Sequence, residues 1–79
     1  MLQEKQKLHR GYTITLERHS EKAWTARITA PDGHHVQTIP PMGRCYASED
    51  LAIEMGTVFV DVEIQLEEHY AEVAAEWGI

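Results

Sequence analysis

The sequence predicts an α+β domain: a three-stranded antiparallel β-meander packed against one long C-terminal α-helix, in the order β-β-β-α. Three observations carry this expectation. Two segments, GYTITLERH and AWTARITA, alternate apolar and polar residues with the period of a half-buried strand. A PDG turn follows the second of them. From Leu51 onward the apolar residues recur with the period of a helix.

Taken in order, the opening MLQEKQKLHR is polar throughout, so it reads as neither a signal peptide nor a membrane span. It is expected to be a flexible segment over residues 1–10, preceding a single domain over 11–79. In the first strand Tyr12, Ile14 and Leu16 alternate with Thr13, Thr15 and Glu17, leaving one face to bury and one to solvate. Ser20, Glu21 and Lys22 make a polar turn. The second strand places Trp24, Ala26 and Ile28 on one face and Thr25, Arg27 and Thr29 on the other. Pro31, Asp32 and Gly33 have turn chemistry: proline sets φ, aspartate bonds back to the backbone and glycine takes a positive φ. A weaker third strand, HHVQTI, is stopped by Pro40 and Pro41, which cannot donate to a ladder.

The stretch GTVFVDVEIQLEE, Gly56 to Glu68, decides between two folds. Val58, Val60, Val62, Ile64 and Leu66 fit a strand. A helix starting after Ser48, a good N-cap followed by Glu49 and Asp50, accounts for more. At roughly 100° per residue, Leu51, Ala52, Met55, Val58, Phe59, Val62, Leu66, Tyr70, Val73 and Trp77 fall within a wedge of about 120°. Ten positions against five favour the helix. Were Thr57 to Leu66 a strand, Gly56 would be a helix stop. The core is accordingly expected to join Ile14, Leu16, Trp24 and Ile28 of the sheet to Met55, Val58, Phe59 and Val62 of the helix.

At 79 residues, 43% hydrophobic and 25% charged, the chain has the composition of a small globular domain, short of buried area unless a partner adds some. Its single cysteine, Cys45, points to a cytoplasmic setting, since small secreted domains usually carry several disulfides. The net charge of −6 hides a division. Residues 1–47 hold seven Lys or Arg against four acids, whereas residues 48–79 hold nine acids and no Lys or Arg.

Tyr12, the run Trp24 to Arg27 (WTAR), the Asp32-Gly33 turn, and Gly56 followed by Phe59, Val60 and Asp61 together resemble a family of small bacterial β-β-β-α domains of unknown function. The resemblance spans roughly residues 11–64. It implies a helical final segment and assigns no activity. A looser similarity is to HicB-type antitoxins and to the arm-binding domain of tyrosine integrases, which implies a nucleic-acid or toxin partner.

Candidate chemistry is sparse. His34, His35 and Cys45 are metal-ligand types, but adjacent strand histidines point to opposite faces and no CxxC or HxxxH spacing joins them. Cys45 with a histidine lacks an acid or an oxyanion loop. Gly43, in PMGRC, reads as a turn glycine and not a phosphate loop. No catalytic, cofactor or metal site is expected, and no small-molecule substrate. For nucleic acid, the polar sheet face of Thr13, Thr15, Glu17, Thr25, Arg27, Thr29 and Gln37 offers one arginine, a poor footprint that Lys5, Lys7 and Arg10 improve slightly. The expectation is a non-enzymatic protein-interaction module that self-associates, with a nucleic-acid-binding or antitoxin-type regulator as the alternative.

Length supplies the expected interface. A helix from Glu49 to Trp77 runs roughly 43 Å, whereas strands of seven or eight residues make a sheet roughly 25 Å long. Tyr70, Val73 and Trp77 would overhang the sheet. Ile53, Val60 and Ile64 form a second, narrower stripe, with Gly56 and Thr57 leaving room for close approach. A two-fold homodimer would cover both groups, and it would bring the acidic helix of one chain to the basic sheet edge of the other.

Overall fold

The computed structural model describes residues 3–77. Four strands, β1 (Gln3–His9), β2 (Tyr12–Ser20), β3 (Ala23–Thr29) and β4 (His35–Ile39), precede a single helix, α1 (Glu49–Trp77). The strands form one antiparallel sheet in the order β1-β2-β3-β4. The expected α+β class and C-terminal helix are present, but the sheet has four strands and not three. The segment expected to be flexible supplies the additional one.

A two-residue hairpin makes that strand possible. His9 pairs with Tyr12, and both residues between them have positive φ, +54° at Arg10 and +87° at Gly11. This is the dihedral pattern of a type I′ turn, whose twist matches that of the flanking strands. Gly11 takes the conformation freely, while Arg10 takes it at some cost. At the other hairpin, Gly33 N donates to Ala30 O (2.9 Å) with φ of +94° at Gly33, the expected PDG turn.

Register puts Lys5, Lys7 and His9 opposite Leu16, Ile14 and Tyr12, hence on the sheet face that carries α1. That face supplies the core: Tyr12, Ile14, Leu16, Trp24, Ala26, Ile28 and Ile39 are buried, with Ala30 at its margin. The connection from β4 to α1 is tied down by a bridge, in which Trp24 N donates to Tyr46 O (2.8 Å) and Tyr46 N to Trp24 O (2.7 Å). Ser48 caps α1 as expected, its Oγ accepting from Leu51 N at 3.2 Å.

The helix lies on the sheet by a face other than the expected one. Its fully buried residues are Ala52, Gly56 and Val60, and Ile53, Phe59 and Ile64 pack beside them. Ala52, Gly56, Val60 and Ile64 form one i, i+4 ridge, the kind that nests into a sheet or a neighbouring helix. Closeness of approach selects it. A Cβ built on Gly56 would stand 2.9 Å from Ile14 Cγ2, so the helix axis sits where only a narrow ridge fits. Met55, Val58 and Val62, expected in the core, are 37%, 48% and 49% exposed.

The domain is elongated, 51 × 21 × 18 Å, with a radius of gyration of 14.6 Å where about 11.6 Å is usual for this length. The excess is helix. Tyr12 Oη donates to Glu67 Oε1 at 3.0 Å, and from Glu68 to Trp77 the helix continues past the sheet for roughly 15 Å.

Candidate functional site

Among the described residues, exposed apolar side chains collect on the outward side of α1. Leu51, Met55, Val58, Val62 and Leu66 run along it at 37–49% exposure, and Tyr70 (68%) and Trp77 (75%) extend it over the overhang. Val73 is half-buried within the same run. About 39 Å of helix thus presents apolar side chains to water. Single exposed apolar residues are ordinary on a protein surface, whereas contiguous apolar stripes of this length are not.

The residues expected to form an interface divide between the two sides of α1. Tyr70, Val73 and Trp77 lie on the overhang. Val60, by contrast, is 0% exposed, and Ile53 and Ile64 pack against the core cluster. Val60 is thus corrected from interface to core. The space at Gly56 is occupied by Ile14 of the same chain, and the room expected there for a partner does not exist.

Charge complementarity is likewise met in part within the chain, at Glu49 and Asp61 of α1. Lys5 Nζ lies 3.0 Å from Glu49 Oε1. Asp61 Oδ1 accepts from Arg10 Nη1 at 3.2 Å and shares a hydrogen bond with His9 Nε2 at 2.8 Å. The His9 contact first, then Arg10, holds the Asp61 carboxyl below the ordinary aspartate range. The basic edge of the sheet therefore engages the acidic helix of its own chain, where the sequence had suggested a second chain.

A shallow cleft of about 550 Å³ opens between the two hairpin turns and the middle of α1, lined in part by Arg10, Tyr12, Asp32, His34, Ile64 and Glu67. Its polar groups already have partners. Burial, followed by the Glu67 hydrogen bond, raises the Tyr12 phenol above its usual range and keeps it protonated as a donor. Asp32 accepts from His34 N (3.1 Å) and contacts the His34 ring, which lowers its carboxyl.

Of the other candidates, His35 bonds Thr38 Oγ1 at 3.0 Å, and Cys45 is exposed and free. Among the described residues no three His, Cys, Asp or Glu side chains gather in a metal-ligating group. No described helix is long and apolar enough to cross a membrane.

The sheet face away from α1 carries the threonines. Thr15 is 2% and Thr25 9% exposed, and Arg27 Nη1 is bound by Glu17 Oε1 at 2.8 Å. Gln37, expected on this face, pairs with Ile28 and so belongs to the helix side. Comparison of the chain with protein-family models, curated proteins and solved structures yields no match in any of the three.

Proposed function

We propose that the protein is a non-enzymatic interaction module that self-associates through the outward face of α1. One observation supports this above the others: the broad apolar stripe predicted to be the helix's buried side is the side left in water. A four-stranded sheet with one helix already fills its core with Ala52, Gly56 and Val60, so the second stripe has no intramolecular role. Covering it supplies apolar burial that a domain of this size otherwise lacks.

The alternative, a nucleic-acid-binding or antitoxin-type regulator, draws on the looser resemblance. Its natural surface is the threonine face, but the arginine there is neutralised by Glu17, and phosphate recognition needs free positive charge. Sedimentation equilibrium at tens of micromolar tests the proposal. Mass above the 9.0 kDa of the monomer, reduced to it by Val62→Lys with the circular dichroism spectrum retained, is the expected result. A wild-type protein that sediments as a single 9.0 kDa species would overturn it.

A further inference from the structure

We infer that the self-association proposed above is an antiparallel helix pair with its two-fold axis at the level of Ile64. The basis is the order of the stripe. Leu51, Met55, Val58, Val62, Leu66, Tyr70, Val73 and Trp77 are separated by 4, 3, 4, 4, 4, 3 and 4 residues, a series that reads the same in both directions. Its midpoint is position 64. An antiparallel copy centred there sets Leu51 level with Trp77, Met55 with Val73, Val58 with Tyr70 and Val62 with Leu66, and the same four pairs recur across the axis.

Exposure and size complement each other in these pairs. The most exposed aromatics, Trp77 (75%) and Tyr70 (68%), meet Leu51 (39%) and Val58 (48%), aliphatic residues beside the partner's sheet. Each overhang would then lie along the sheet-bearing half of the other helix, so both unpaired segments are covered at once.

Charge separates this arrangement from a parallel one. No Lys or Arg lies between Ser48 and Trp77. In a parallel pair every acid is level with its own copy, and like charges so placed are destabilising. In the antiparallel register Glu54 is level with Ala74, Glu68 with Val60, Glu72 with Gly56 and Glu76 with Ala52. Only Asp61 and Glu67 coincide. Both are engaged within their own chain, Asp61 by His9 and Arg10 and Glu67 by Tyr12. The stripe advances 26 residues in seven steps, about 3.7 per turn, a period that favours a right-handed twist and not a left-handed supercoil.

Single-cysteine variants test the register. In a Cys45→Ser background, Val58→Cys and Tyr70→Cys each alter an exposed side chain and leave the core intact. Under mild oxidation a mixture of the two is expected to give a disulfide-linked dimer, and either variant alone is not. Disulfide dimers from Val58→Cys alone or Tyr70→Cys alone would overturn the antiparallel register, while self-association would stand. A non-cross-linking mixture that nevertheless sediments as a dimer would also overturn the register. Monomers throughout would overturn both proposals and leave the stripe to a helix of another protein.

Discussion

The two apolar sides of α1 differ in width and in fate. The sheet-facing ridge is narrow and built from small residues, Ala52, Gly56 and Val60, all buried. The outward stripe is broad and carries Leu, Met, Tyr and Trp beside its valines, and seven of its eight residues are exposed, at 37–75%. Hydrophobic quantity therefore does not decide which side meets the sheet. Distance does: a helix laid close over Ile14, Leu16 and Ile28 buries more of the sheet through small residues than one held away by Met55 and Leu66. The larger stripe becomes surplus to the monomer, which is the condition for an interface.

Two charge insertions break this comparison most sharply. Val60→Asp places an unpaired carboxylate in the core and is expected to cost on the order of 4 kcal/mol, enough to unfold much of a domain this size. Val62→Asp, two residues away on the outward stripe, is expected to change monomer stability by less than about 1 kcal/mol while abolishing self-association. Denaturant melts at submicromolar concentration isolate the monomer, because linkage to association makes stability concentration-dependent at higher values. Equal losses at 60 and 62 would mean that the stripe is buried in the monomer.

Gly56 sharpens the distance argument. Alanine there gains about 1 kcal/mol of helix propensity but must displace Ile14 Cγ2, 2.9 Å from the new Cβ and itself fully buried. The crowding is expected to win, with a net loss of about 1 kcal/mol for Gly56→Ala and about 3 for Gly56→Val. A stabilised Gly56→Ala would show that Ile14 yields and that a close approach is not required.

Truncation after Glu67 tests the difference along the helix. None of residues 68–77 belongs to the core cluster or packs against it, so urea unfolding of the dilute monomer is expected to shift by no more than about 0.5 kcal/mol. Self-association is expected to vanish, since Tyr70, Val73 and Trp77, the proposed partners of Val58, Met55 and Leu51, are gone. A large loss of monomer stability would place the overhang against the sheet.

The sheet's inner face was legible because Tyr12, Ile14, Leu16, Trp24, Ala26 and Ile28 alternate with threonine and charge, so one face was the only choice. The helix start was legible from Ser48 and the acidic first turn. Its orientation was not, because the strongest apolar periodicity belongs to the outward side. The signal that carried it was the small-residue spacing Ala52, Gly56, Val60. Strand β1 was missed for a local reason. Arg10-Gly11 is an unusual type I′ pair, where Asn or Asp normally takes the first position, and Lys5 and Lys7 stand where an apolar residue usually marks the inner face. Lys5 reaches an acid on the helix, Glu49, and not a core residue.

The smallest expected effect concerns these sheet-edge contacts, which orient α1 without filling the core. Asp61 titrates below its usual 3.8 because His9 and Arg10 bind the ionised form. A carboxylate with a depressed folded value stabilises the fold above the unfolded value, and the contribution disappears as pH falls through the lower folded value. Asp61 is ionised in both states well above its usual value, and its contribution is lost progressively below about pH 4. Asp61→Asn is therefore expected to flatten, slightly, the fall in melting temperature between pH 5 and 3. Asp32, lowered by His34 N and then the His34 ring, contributes to the slope that remains. Because the Asp61 side chain is 51% exposed, 0.5 M salt should shrink the difference between variant and wild type. Parallel melting curves for the two proteins across pH 3 to 5 would show that the His9 and Arg10 contacts to Asp61 contribute nothing to the seating of the helix.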